Sequence, residues 1–297
     1  MKYIYSLVLL GLVLTGCKKD PAIVPAYLHV DAMKVNADYA KHGTSSSRIT
    51  TVWVEVDGEY IGVFELPAVV PIAATGSHRI TLTPGINLNG IQSLRNIYEF
   101  YTEYEQTFNF EENKDYWPNA SGDSIAEVTY SARTFYTYDN LEDFEGLSLA
   151  FERSVRADTG LVRSTDSQYL NVDPSIDEEN TAVGYSYLGD DDLLFEVVSV
   201  KEYTDLPAGG ANVYLEMNYK IDAVVTVGVF RNAEGQVDQV PVVSLYPNDE
   251  WQKIYINLVS EISAYPNAEG FRIFLGGVNL KGNGPKELLF DNIKLVY

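Results

Sequence analysis

Ile49-Thr-Thr-Val-Trp-Val-Glu-Val56, then Asp57-Gly58, then Glu59-Tyr-Ile-Gly-Val-Phe64 is the stretch that decides the fold class. The two outer runs are β-branched and aromatic, which suits a pleated, half-buried surface. The Asp-Gly pair between them meets the demand of a tight hairpin, in which both central residues take φ > 0. The spacing predicts a β-hairpin over 49–64.

Working outward, the same punctuation recurs. Leu66-Pro67 and Pro71 break the next stretch, Arg79-Ile-Thr-Leu82 is strand-like and is closed by Pro84-Gly85, and Asn89-Gly90 marks a further turn. Residues 98–110 alternate: Tyr98, Phe100, Thr102 and Tyr104 fall on one face, Glu99, Tyr101, Glu103 and Glu105 on the other. Short strands, frequent turns and no long helical period predict an all-β protein whose first domain, 26–136, is a β-sandwich. In pattern this domain is similar to the Ig-like modules of secreted bacterial proteins, which implies a spacer or docking role. Residues 111–124 are polar and contain Trp117-Pro118 and Gly122, so they are expected to form a linker at the domain junction. Residues 125–136 return to strand-like composition and are suited either to close the first sandwich or to bridge to the second.

The rest of the chain, 137–297, is read as a second sandwich from its two ends. It opens with Asp139-Asn-Leu-Glu-Asp-Phe-Glu-Gly146 and closes with Leu288-Leu-Phe-Asp-Asn-Ile-Lys-Leu295, with Trp251-Gln-Lys-Ile-Tyr-Ile-Asn-Leu258 between. These segments resemble the galactose-binding-like jelly rolls that include many carbohydrate-binding modules. The resemblance implies that the closing strand lies beside the opening one and that a structural calcium is held near them. Calcium takes six to eight oxygen ligands; the matching residues are Glu145 and Asp291, with Asp143 close by. The acidic runs Asp177-Glu178-Glu179 and Asp190-Asp191-Asp192 lack the spacing of a calcium loop and read as solvated loops.

The beginning of the chain speaks to location. Lys2 precedes an apolar run, 4–13, followed by Leu14-Thr15-Gly16-Cys17. The run is shorter than the roughly 20 residues of a membrane span and reads as a secretory signal, 1–16. It resembles the lipobox of bacterial lipoproteins, which implies cleavage after Gly16, lipid on Cys17 and a tether over 17–25. Cys17-Lys18-Lys19-Asp20 resembles the start of Bacteroidota surface lipoproteins. The implied location is the cell envelope, as an outer-membrane lipoprotein facing the surface. Asp123-Ser124-Ile125 matches the short O-glycosylation sequon of that group, with Ser124 as acceptor.

Composition excludes several classes. A net charge of −21 repels phosphate backbones, so nucleic acid is not an expected partner. Cys17 is the only cysteine, so no disulfide framework and no Cys-based zinc site are expected. His29, His42 and His78 lack ligand spacing, and no nucleophile elbow or phosphate loop appears. No motif carries a catalytic mechanism, and the protein is not expected to be an enzyme. Tyrosine is abundant, at 22 residues. Ring faces suit sugars or proteins; Tyr185, Tyr187 and Tyr246 are the candidate platform, and Trp251 is expected in the core. Two functions stand open: glycan binding through the second sandwich, and a structural or assembly lipoprotein that docks on an envelope protein. A buried tyrosine set favours docking; exposed aromatics in a groove favour sugar.

Overall fold

A computed structural model describes residues 24–119, 121–132, 141–172 and 180–297. The chain is nearly all β, in two sandwiches. The signal reading over 1–16 and residues 17–23 of the tether read over 17–25, Cys17 included, lie outside the described residues, as does the domain boundary at 136/137.

The first sandwich contains β1 (Ala26–Val30), β2 (Ala32–Val35), the short helix α1 (Tyr39–His42), β3 (Thr51–Val56), β4 (Glu59–Glu65), β5 (Ala68–Ile72), β6 (Gly76–Asn87), β7 (Arg95–Ile97), β8 (Tyr104–Phe110), β9 (Asp115–Tyr116) and β10 (Ile125–Val128). The hairpin forms where its residues demand: β3 and β4 pair antiparallel across Asp57 and Gly58, with φ of 52° and 83°. Strand β3 also pairs with β6, which carries β7 and β8 along its length. The opposing layer is β5-β1-β9 with the pair β2-β10. Val52, Val54, Ile80 and Leu82 from one layer and Leu28, Val30 and Val70 from the other are fully buried in one cluster.

The expected linker over 111–124 is instead part of this sandwich. Strand β9 runs parallel to β1, and β10, which follows directly, runs parallel to β2. Aromatic contacts explain it: Tyr116 packs edge-on against Phe110, and Trp117 stacks on His29 at 5.5 Å. The expected strand over 98–110 is also interrupted. Residues 98–101 form a turn between β7 and β8, so Tyr98 and Tyr101 are both buried rather than on opposite faces.

The second sandwich contains β11 (Leu141–Glu142), β12 (Phe151–Arg153), β13 (Val162–Ser164), β14 (Val183–Leu188), β15 (Leu194–Ser199), β16 (Tyr214–Ile221), β17 (Val225–Ala233), β18 (Gln236–Leu245), β19 (Gln252–Asn257), helix α2 (Val259–Ser263), β20 (Gly270–Val278) and β21 (Lys286–Val296). One sheet runs β13-β14-β21-β16-β19 with β11 on β21; the other runs β12-β15-β20-β17-β18. The opening and closing segments meet as the jelly-roll resemblance implies, Leu141 opposite Lys294 and Glu142 opposite Ile293. Phe144 then turns inward at φ 60° and is fully buried. It fits because residue 184 is glycine: a Cβ there would lie 2.3 Å from the Phe144 ring.

The two sandwiches share a buried seam. The outer face of the six-stranded sheet packs on the first sandwich, so Tyr214, Tyr255 and Val296 belong to the first cluster. Backbone bonds cross as well: Asn89 N–H donates to the Tyr255 carbonyl at 2.9 Å. At the centre Glu216, fully buried, pairs with Lys253 at 2.9 Å and lies 3.7 Å from Lys294. Tyr98 donates to Glu216 at 2.6 Å and Tyr130 at 3.0 Å. Burial alone raises the Glu216 carboxyl; Lys253 and Lys294 together outweigh that and hold it below its ordinary value. The hydroxyls of Tyr98, Tyr101 and Tyr130 are pushed well up, first by burial and then by Glu216.

Candidate functional site

The five-stranded sheet of the second sandwich turns one face to the core and one to solvent. Along β17, Val225, Val227 and Val229 point inward, so Phe230 and Asn232 point outward. On β20, Ile273 and Leu275 are inward and Arg272 and Phe274 outward. A groove of about 470 Å³ crosses this outer face. Val198, Phe230 and Val237 line it, with Glu152, Arg272, Glu202 and Asn232 around them. Phe230 is half-buried and leans on Phe274, 5.2 Å away. Arg272 bonds Glu152 at 2.6 Å and the Ser199 carbonyl at 2.6 Å. Asn232 donates to Glu202 at 3.2 Å.

Beside the groove a polar bridge crosses the sheet. Arg156 donates through Nε to Glu196 at 2.8 Å and through Nη2 to Gln239 at 2.6 Å, and Gln239 donates to Glu196 at 3.1 Å. Strands β15 and β18 are separated by β20 and β17, so these side chains meet only because the outer face is concave. Glycine at 228 and 276 keeps side chains out of the space beneath: a Cβ at 228 would lie 2.6 Å from the Phe274 ring. Burial works to raise the Glu196 carboxyl, but Arg156 and its hydrogen bonds bring it below its ordinary value. The arrangement can do one thing well: an apolar floor with a partly exposed ring, bordered by fixed donors and acceptors, binds a ligand that has apolar faces and polar edges.

The sequence-derived platform is dispersed. Tyr185 stacks on Tyr169 at 4.7 Å, and both hydroxyls donate to Glu287, at 2.9 and 2.7 Å. Burial, then Tyr169 and Glu287, raise the Tyr185 hydroxyl. Tyr187 follows on the same face and is exposed, and Tyr246 is 71% exposed beyond β18. These residues lie outside the concave groove. Trp251 is not core; it stands half-buried just ahead of β19 and belongs to neither apolar cluster. No spacing signal marks the groove residues, because they come from separate strands and alternate with core positions.

The proposed calcium ligands are near one another but differ in chemistry. Asp291 is fully buried and accepts from Asn180 Nδ2 and from the Asn292 backbone at 2.8 Å. It has no cationic side chain beside it among the described residues, and burial pushes its carboxyl well up. Asn180 Oδ1 is buried without a partner. That combination, a buried carboxyl near an orphaned oxygen, supplies two donors of the type calcium takes, out of the six to eight it needs. Asp143 is already bonded to Tyr39 at 2.6 Å, across the seam. Glu145 accepts from Thr181 N at 2.8 Å, from Ala182 N at 3.1 Å and from the Thr181 hydroxyl, so its oxygens are taken. Among the described residues no group of three or more His, Cys, Asp or Glu converges as a metal site. Ser124 donates to Asp31 at 2.6 Å and is half-buried ahead of β10.

No known family model matches this chain, and no curated protein sequence matches it. Solved structures do. A carbohydrate-binding module of the β-sandwich superfamily, studied for promiscuous specificity, is 13% identical over 85% of this chain and 87% of its own, with a TM-score of 0.38. The family 11 carbohydrate-binding module of Clostridium thermocellum, in complex with a β-1,3-1,4-mixed-linked tetrasaccharide, is 16% identical over 52% of this chain and 92% of its own, with a TM-score of 0.33. The enzymatically active domain of tailspike protein 4 from bacteriophage CBA120 is 12% identical over 54% of this chain and 21% of its own, with a TM-score of 0.39.

Proposed function

We propose that this protein is a lipid-anchored cell-envelope protein that binds a glycan, without catalysis, in the concave groove of its second sandwich. The observation that carries the reading is the groove itself: the Phe230 ring on an apolar floor, with Glu202, Asn232, Glu152 and Arg272 held at its edges. Ring faces stack on pyranose faces while fixed polar groups read the hydroxyls. Cys17 as the acylated residue, an outer-membrane and surface location, and Ser124 as a glycan acceptor complete the proposal; they rest on the sequence. A structural calcium bound through Asp291, with the Asn180 oxygen beside it, belongs to the same reading.

The test is a glycan array probed with the full-length chain in detergent, followed by calorimetry. Phe230→Ala should weaken binding at least tenfold while the fold survives. If no oligosaccharide binds at millimolar concentration, the docking reading replaces this one. A specific observation favours that second reading: five tyrosines, Tyr98, Tyr101, Tyr130, Tyr214 and Tyr255, are buried in the seam, so tyrosine content does not argue for a sugar platform. Capture of an envelope protein by the chain, at a surface that glycans do not block, would support docking.

A further inference from the structure

At the rim of the seam lies an open recess of about 630 Å³ that is lined from both sandwiches. One wall is the 46–48 stretch of the first sandwich. It is tied down by Ser46, in contact with the buried Asn218 amide at 2.9 Å, and by the Arg48 N–H donating to the Tyr255 hydroxyl at 2.9 Å. The Arg48 guanidinium reaches Gln252 on the other side. The opposite wall is Lys220 on β16 and the 249–252 stretch that leads into β19. Both of these walls are tied to the buried seam, which restricts their movement before any ligand arrives. Preorganisation of this kind lowers the cost of binding.

Three properties of the lining define what fits. Trp251 is half-buried and lines the recess, and its ring makes no aromatic or cation–π contact among the described residues, so the part of the ring that faces the recess is what it offers for stacking. Lys220, Asp249 and Glu250 make no ion pair among the described residues. Among the described lining residues the charges balance: Arg48 and Lys220 oppose Asp249 and Glu250, while Lys253 is paired with Glu216. In a chain of net charge −21 this balance stands apart from the general surface. An anionic ligand meets Asp249 and Glu250, a cationic one meets Arg48 and Lys220, and a neutral polyol uses all four as hydrogen-bonding groups.

We propose that the seam recess is a second binding site, for a neutral pyranose unit of an oligosaccharide, stacked on Trp251 and hydrogen-bonded by Lys220, Asp249 and Glu250. It rests on the saccharide reading of the protein but uses no residue of the concave groove.

The experiment is calorimetry and tryptophan fluorescence on the full-length chain in detergent, with neutral xylo-, manno- and mixed-linked gluco-oligosaccharides and with oligogalacturonate as charged control. The expected result is two sites for a neutral oligosaccharide, one of which changes the fluorescence. Trp251→Ala should weaken that site at least tenfold and leave the other; Phe230→Ala should do the reverse. Trp251→Phe keeps an aromatic face and should retain part of the affinity, and Lys220→Ala, on a side chain with no ion pair among the described residues, should weaken the site several-fold. Unchanged stoichiometry and affinity in Trp251→Ala and Lys220→Ala overturn the seam site and leave the groove standing. Tighter binding of oligogalacturonate than of neutral sugars overturns the ligand class. Absence of any saccharide binding by the wild type removes both sites together.

Discussion

Glu216 offers the sharpest test of how the two sandwiches are joined. Its carboxylate, fully buried, faces Lys253 and Lys294, themselves almost fully buried, and accepts from Tyr98 and Tyr130. Glu216→Gln keeps the shape and most of the hydrogen bonds but removes the negative charge that faces Lys253 and Lys294 in the seam. Removing one partner of a buried ion pair costs about 3–5 kcal/mol, because the other charge has no solvent to return to. For a chain of 297 residues that corresponds to roughly 5–8 °C in Tm. Tyr98 and Tyr130 come from one sandwich and Glu216 and both lysines from the other, so calorimetry should show one transition that moves as a whole. Adding Lys253→Met to the Gln variant removes one of the two lysine charges and should recover part of the loss, a coupling that independent sites do not show.

The pH dependence follows with its sign. The folded-state carboxyl of Glu216 is held below its ordinary value of 4.5. It therefore contributes stability above that value and loses it as pH falls through the folded-state pKa. The Tm difference between wild type and Glu216→Gln should be full near neutrality and shrink in acid. A difference under about 2 °C at neutral pH, or one that is constant from pH 7 to pH 3, would refute the reasoning.

Other outcomes can be stated briefly. Calcium should raise the Tm and chelator lower it, by about 2.7 kcal/mol of stabilisation at a hundredfold excess over Kd; Asp291→Asn should abolish the difference, and identical melts in both conditions count against the site. Cys17→Ala should leave the protein unanchored, and wild-type partitioning into the detergent phase in fractionation would sink the lipid proposal. Gly184→Ala forces a Cβ into the Phe144 ring, so a loss of about 1–3 kcal/mol is expected in denaturant titration, and an unchanged midpoint would show that the ring can move aside.

What the sequence disclosed follows the range of the forces involved. The Asp57-Gly58 turn was legible because the requirement for positive φ is local to two residues. The ends of the second sandwich were legible through their resemblance to the opening and closing segments of jelly rolls, and the two do meet in one sheet, with β11 on β21. The 111–124 segment was misread as a linker because its polar composition hides a short parallel pairing, β9 on β1, with a partner 88 residues earlier. Nothing in the composition of a two-residue strand announces its partner.

The seam was illegible for a related reason, and it changes how the charges of this chain should be read. Glu216, Lys253 and Lys294 alternate with apolar residues in β16, β19 and β21, so each reads as the solvent side of a half-buried strand. That reading is correct for one sandwich considered alone. The alternation fails only because a second sandwich covers the same face, and the three charges then satisfy one another instead of water. Trp251 was displaced from the core by the same geometry: it precedes β19 at the edge of the covered face, where the cover ends and a recess begins. A residue at that edge is neither core nor free surface. The chemistry most worth testing in this protein therefore lies where the packing of one domain on the other stops.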